Sequence, residues 1–334
     1  MRPIPDSDRA IRHAYCPAAL LPHFPQRITP DPMELRQLKQ VIVLAETLNF
    51  HRAAERLHMA QPPLSTSIKK LEEELGVMLF ERLPSGLKLT PSGEAVVRNA
   101  RRAMFFADEV KRAAREGDSG EQGLLNVGFV GSASYSMMPH IIRRFRRRYP
   151  RVDLVIEEST TVELLRRVEN HSLDVALVRF PVLVPTEAEL SLLQKDVMVL
   201  AVPADSPLAE RGHITLRDAA DQPFIIYSRT MVPTMYSLTM YAFNEAGIHP
   251  RIAQEAVQVQ TLLSLVESGL GVALVPSQAA KYAGANVRLL KLDNLPSAMN
   301  VAIALATLPD ALTPAARNFI ALAHETVADE SAAT

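Results

Sequence analysis

Beyond residue 123 the chain becomes a series of short, nearly unbroken apolar runs separated by segments of helical spacing, and this alternation constrains the fold more than any other feature. LNVGFVG, VDLVIEES and LDVALVRF read as strands covered on both faces. Between them, SMMPHIIRRFRRRYP and TVELLRRVEN repeat apolar residues at helical steps, with Met138, Ile141, Phe145 and Tyr149 on one face. VMVLAVP, FIIYS, RIAQEAV, VALVPS and VAIALAT continue the series. The pattern implies α/β architecture with mainly parallel sheets. Roughly two hundred residues and about ten strands suit two similar subdomains with a cleft between them. Residues 122–196 plus 303–328 would form the first subdomain and 197–302 the second.

The first half has a different texture. From Met33, Leu35, Leu38, Ile42 and Ala45 mark one apolar face of a helix. Ala53, Ala54 and Leu57 mark a second, shorter helix, and Leu64, Ile68, Leu71 and Leu75 a third, stopped by Gly76. Pro62 and Pro63 suit that helix's first turn, where backbone donors lack intrahelical partners. The next exposed turn carries Ser65, Thr66 and Ser67, indifferent helix formers whose short side chains permit close approach. Three short helices with a tight turn read as a helix-turn-helix. LFERLPSGLKLTPSG adds a hairpin about Pro84-Ser85-Gly86, so that 33–92 form a winged unit. A long helix follows in the linker region 93–121, and REGDSGEQG, 115–123, is a polar hinge. Val96, Ala100, Ala103, Ala107, Val110 and Ala114 give it a heptad seam of small residues, fit for pairing two helices closely. The alternative is a helix lying on its own protein.

Several classes are excluded. Apolar residues are 48% and charged residues 22% of the chain, the balance of an ordinary globular protein. The net charge of −1 means that any polyanion must be met by local patches. Cys16 is alone, and the nine histidines show no ligand spacing, so neither a disulfide nor a metal site is expected. Gly269-Leu270-Gly271 lacks the third glycine of a dinucleotide fingerprint, and no cofactor is expected. No apolar run reaches membrane-spanning length. Residues 1–32 are dense in proline and read as a disordered extension, or as upstream sequence before a natural start at Met33, their apolar patch too short for a signal-peptide core. The expected location is cytoplasmic.

ELRQLKQVIVLAETLNFHRAAERLHMAQPPLSTSIKKLEEELGVMLFERLPSGLKLTPSGEAVV closely resembles the N-terminal domain of LysR-type transcriptional regulators. The marks are Phe50 with Ala53-Ala54, Ala60-Gln61-Pro62-Pro63-Leu64-Ser65, Leu71-Glu72, Leu75-Gly76, Leu79-Phe80, Arg82, and Thr90-Pro91 with Gly93. The resemblance implies an N-terminal all-α winged helix-turn-helix, a dimerising linker helix, and a C-terminal α/β module of two subdomains of the periplasmic-binding-protein type. It implies double-stranded DNA, a small effector, RNA polymerase and other copies of the chain, as a dimer or dimer-of-dimers tetramer, as partners. A recognition helix enters a major groove about 12 Å wide with its N-terminal end against the bases. That end holds Gln61, Pro62, Pro63, Ser65 and Thr66, with Arg52, Arg56, Lys69, Lys70, Arg82 and Lys88 as candidate phosphate contacts or solvated charges. Thr66 stands where many relatives have arginine, which weakens direct base reading there. His51 stands where relatives have a capping serine or threonine, leaving Asn49 or water to cap the second helix.

In the α/β half, GFVGSASYSMMP and Glu158-Ser159-Thr160-Thr161 each take a strand into a helix, and helix N-termini attract anions. Arg179 would add a positive charge at the same strand ends, which suits a small carboxylate. GFVGSA, the Ser/Thr turn and the arginine after LDVAL resemble the LysR subgroup that senses muconate and benzoate. That likeness implies Ser132, Thr161 and Arg179 as effector contacts, faced by Ser228, Thr230, Pro233 and Met235 from the other subdomain. The alternatives are helix caps for Ser132 and Thr161 and a structural ion pair for Arg179. The competing function is an enzyme or soluble binding protein on a solute-binding fold.

Overall fold

The computed structural model describes residues 33–84, 86–116, 120–135, 137–211 and 213–332; the extension expected over 1–32 lies outside them. Three helices, α1 (Leu35–Thr47), α2 (Phe50–Arg56) and α3 (Gln61–Leu75), precede an antiparallel hairpin of β1 (Phe80–Leu83) and β2 (Gly86–Leu89) and the long α4 (Pro91–Glu116). Leu38, Val41, Leu44, Ala53, Leu64, Ile68, Leu71, Leu79 and Phe80 close a separate core beneath them.

The buried face of α1 differs from the expected one. Leu35 is 48% exposed and Ile42 and Ala45 only half-buried, while Gln37, Leu38, Val41 and Leu44 point inward. Ile42-Val43-Leu44-Ala45 is apolar all round, so the sequence pattern has no unique phase there. Ser67 also turns inward: its hydroxyl donates to Gln40 Oε1 at 2.5 Å, locking α3 to α1. Asn49 caps α2, its Oδ1 accepting from the backbone N–H groups of His51 and Arg52. Glu72 Oε1 accepts from the N–H of Leu79 at 2.7 Å and fixes the wing to α3. At the entry to α4, Gly93 lies so close to Leu79 that a Cβ would sit 2.1 Å from its carbonyl oxygen.

The small-residue seam of α4 needs correction. Ala100 is 2% exposed and belongs to the head's own core, against which Val96 and Ala103 also pack. The first half of the seam is therefore covered within the chain, because α4 lies across α1. Ala107 is half-buried and Val110 is 71% exposed; the side chain of Ala114 lies outside the described residues.

The second half holds β3 (Gln122–Phe129), α5 (Met138–Arg148), β4 (Arg151–Glu158), α6 (Thr161–Glu169), β5 (Val175–Phe180) and β6 (Glu189–Pro203). These are followed by β7 (Pro223–Tyr227), α7 (Pro233–Glu245), β8 (Arg251–Ala256), α8 (Val259–Glu267), β9 (Ala273–Pro276), β10 (Val287–Leu290), β11 (Asn300–Thr307) and α9 (Pro314–Ala332). Two cores form. One gathers residues from Leu125 to Ala188 and from Ile303 to Val327, the other residues from Met198 to Val301. The single strand β6 joins them: Glu189–Val197 pairs with β11, and Met198–Ala201 with β9.

The sheets are mixed where mainly parallel ones were expected. β3 is parallel to β4 and β5, and β7 to β8, but β11 runs antiparallel to β5 and β6, and β6 antiparallel to β9 and β10. An unbroken apolar run reports burial on both faces and carries no information on direction. A second difference is that β3 leads into a 3₁₀ turn, Gly131–Tyr135, with α5 beginning only at Met138.

Candidate functional site

Two clusters of the expected residues emerge, one on the head and one between the subdomains. On the head, α3 starts at Gln61 with Ala60 as N-cap and no side-chain cap bond. Its second and third residues are Pro62 and Pro63, which carry no N–H, so two of the donors that a helix start leaves unpaired do not exist. Gln61, Pro62, Pro63, Thr66 and Lys69 are exposed and Ser65 is half-buried, while Leu64, Ile68 and Leu71 anchor the opposite face. The Thr66 hydroxyl donates to the Pro62 carbonyl at 3.1 Å and so bonds within its own helix. Arg52 lies exposed in the first turn of α2, and Lys88 on the wing, in register with Glu81. Arg82 holds its guanidinium over the Phe50 ring, 5.5 Å from the centroid, which ties the wing to α2. Lys69 pairs with Glu73 at 3.5 Å on the surface, and Arg56 with Glu46 at 2.8 Å.

The second cluster lines a cavity of about 50 Å³ between the two subdomains, walled by Ser132, Ser159, Thr161, Arg179, Tyr227, Met235 and Gln258 among others. Arg179 is its pivot. The guanidinium donates to Ser132 Oγ, and its backbone N–H donates to Thr161 Oγ1 at 3.2 Å. At 3.9 Å lies Asp196; Arg179 is 7% and Asp196 8% exposed, so this is a buried ion pair. Asp196 Oδ1 also accepts from the N–H and hydroxyl of Ser277. Charge at the cleft is thus largely balanced inside the chain, and the hydroxyls of Ser132, Ser159 and Thr161 share the wall with Val130, Val232, Met235, Val257 and Val259.

Of the residues expected here, Ser132, Thr161, Arg179 and Met235 come together. Ser228, Thr230 and Pro233 do not line the cavity; Ser228 and Thr230 share a hydroxyl contact at 3.3 Å on the loop before α7. Thr161 is no cap either, since Thr160 caps α6 by accepting from the Glu163 N–H. Asp196, Tyr227 and Gln258 went unforeseen. Asp196 alone left a signal, a lone acid opening the apolar run VMVLAVP.

Elsewhere on the α/β half, the basic run of α5 faces outward, with Arg144 and Arg148 paired to Asp329 and Glu325 of α9. Arg167 holds the Glu157 carboxyl below its ordinary pKa through a direct hydrogen bond, and Arg166 does the same to Glu163. Among the described residues no group of three or more His, Cys, Asp or Glu is placed to hold a metal ion, and no helix is long and apolar enough to cross a membrane.

Family profiles match both halves: "Bacterial regulatory helix-turn-helix protein, lysR family" over 35–94 and "LysR substrate binding domain" over 118–328. The chain belongs to the LysR family. It is 35% identical to the HTH-type transcriptional regulator AlsR of Bacillus subtilis, over 87% of this chain and 96% of that one. Full-length OxyR of Pseudomonas aeruginosa superposes with a TM-score of 0.67 at 27% identity, covering 89% of this chain and 95% of its own. Full-length CbnR bound to its target DNA superposes with a TM-score of 0.61 at 27% identity, covering 88% and 100%. This LysR-family protein is a DNA-binding transcriptional regulator with an effector-binding domain of the periplasmic-binding-protein type, and it is not an enzyme.

Proposed function

We propose that the N-terminal end of α3 reads operator DNA and that a small organic acid, held in the cleft between the subdomains, changes that reading. Gln61, Pro62, Pro63, Ser65 and Thr66 meet base edges in the major groove, the prolines and short hydroxyls letting the backbone come close. Arg52, Lys69, Arg82 and Lys88 neutralise phosphates on either side. Because Thr66 bonds its own helix, base reading there is weak and DNA shape carries more of the preference. The observation that carries this reading is the exposure of the proline-led turn of α3 beside the wing, on a face opposite the head's core.

Copies pair through the free part of α4, where Val110 stands out into solvent, and the paired heads meet two half-sites. RNA polymerase is the partner through which such binding alters transcription. In the cleft, Ser132, Thr161 and Arg179 bind the acid's carboxylate and Met235 its apolar part. Closing the cleft on the acid favours one arrangement of subdomains over another and so biases the spacing of the heads. An aromatic acid or its breakdown product follows from the resemblance to muconate and benzoate sensors.

Gel retardation with duplexes from beside the protein's own gene tests the reading. Retention that weakens with salt and shifts on adding an acid supports it. The absence of salt-sensitive retention on every fragment contradicts it.

A further inference from the structure

We propose that His171 is an acid-operated latch: its neutral ring holds α4, and the head with it, against α6, protonation lets α4 go, and DNA binding changes with it. The latch begins in the backbone. α6 closes with the His171 N–H donating to the Val168 carbonyl at 3.0 Å and the Ser172 N–H to the Arg167 carbonyl at 2.9 Å. Closure of this kind puts the residue after the C-cap in the left-handed region, where glycine is usual; here it is His171, with φ of 57°. A β-carbon is strained there. The side chain kept at that cost leaves its own helix and lies on Phe105 of α4, ring centroids 4.9 Å apart and planes 23° from parallel. Arg166 of α6, held above its usual pKa first by its bond to Glu163, also feels Glu46 of α1, so the head and α6 are near at a second point.

The contact suits the uncharged ring only. His171 Nε2 is buried and has no hydrogen-bond partner among the described residues. In the neutral ring that nitrogen can stay a bare acceptor, whereas the imidazolium must carry an N–H there, shut away from water with nothing to receive it. On α4, Arg102 precedes Phe105 by one turn and repels a second cation; Glu109 follows it by one turn. The charges about the end of α6 are engaged elsewhere: Arg166 with Glu163, Arg167 with Glu157, Glu169 with Thr186 and Asp174 with Asn126. The face of Phe105 and the C-terminus of α6 both attract an imidazolium, but the Arg167 and Val168 carbonyls are already taken. Burial and then Arg102 prevail, and the imidazole is held below its ordinary pKa. Off α4 the ring returns to its ordinary value of about 6.5. It takes up a proton more readily when released, so acid favours release.

The chain has no tryptophan, so Phe105→Trp in the full chain places a single indole on the His171 ring. Between about pH 8 and about pH 5 its emission should move to longer wavelength as the indole meets water. The same protein with His171→Phe added keeps a ring stack that cannot titrate, and its emission should stay in place. Identical traces from the two overturn the latch. A second measurement leaves Phe105 untouched: fluorescence anisotropy on a duplex from beside the protein's own gene, in wild type and in His171→Gly, whose glycine relieves the left-handed backbone. The ratio of affinities at about pH 7.5 and about pH 5.5 should differ between the two proteins by about threefold or more. His51 and His58 of the head titrate alike in both and cancel from that comparison. Equal ratios overturn the latch's control of DNA binding.

Discussion

The DNA-facing head and the effector cleft use polar residues in opposite ways. On the head, Gln61, Arg52 and Lys88 stand outside a closed apolar core and hold no part of it together. In the cleft, Ser132, Thr161, Arg179 and Asp196 bond one another, and Glu158 bonds Gln258 across the gap. A head of that kind meets a rigid partner without rearranging. If the cleft holds the effector, as proposed, a ligand enters by exchanging internal bonds, so occupancy and subdomain arrangement change together.

The contrast breaks most visibly at Asp196. Replacing it with alanine leaves Arg179 buried without its carboxylate, and removing one partner of a buried pair costs about 3–5 kcal/mol. Urea denaturation of Asp196→Ala should show the effector half unfolding at lower denaturant, with the head's own transition unmoved. A shared shift of both would mean that the halves do not fold as separate units. Gly93→Ala is the counterpart in the head. Its Cβ would collide with a backbone oxygen, and overpacking of that sort costs about 1–3 kcal/mol. Here the head transition should fall and the effector half stay; DNA affinity measured by anisotropy should fall with it.

The smallest effect sharpens the comparison at a ring contact between the two halves. Phe105 of α4 stacks on His171, just beyond α6, with centroids 4.9 Å apart. Burial, and then the nearby Arg102, hold the His171 imidazole below its ordinary pKa. The unfolded chain therefore takes up the proton first as pH falls. Stability is complete above the ordinary value of about 6.5 and is lost as pH drops towards the lower folded one. Scanning calorimetry from about pH 8 to about pH 5 should show a modest fall in Tm that His171→Phe reduces. An equal fall in both proteins would assign the dependence elsewhere.

Much of this was legible in the sequence, and what was legible was local. The double proline, the Gly76 stop and the hairpin about Pro84 and Gly86 each act within a few residues, and the head follows from them. The face of α1 was not legible, because Ile42 to Ala45 are apolar in every direction. Nor was the direction of β11, whose apolar run would look the same in a parallel sheet. In the cleft, Arg179 and Thr161 were found from strand ends, but Asp196 and Gln258 reach them only through pairing between distant segments, which leaves no periodic trace. Ala100 shows the converse error: a regular seam was real, yet half of it serves the chain's own head.

The central claim is that the proline-led end of α3 reads duplex DNA, and Gln61→Ala tests it most directly. Gln61 is exposed and begins the helix, so its loss should alter stability by less than about 0.5 kcal/mol. Fluorescence anisotropy of the full chain on a duplex from beside its own gene should then show affinity falling by about tenfold, with the slope against salt unchanged because phosphate contacts remain. Equal affinity of Gln61→Ala and wild type for that duplex would contradict the account.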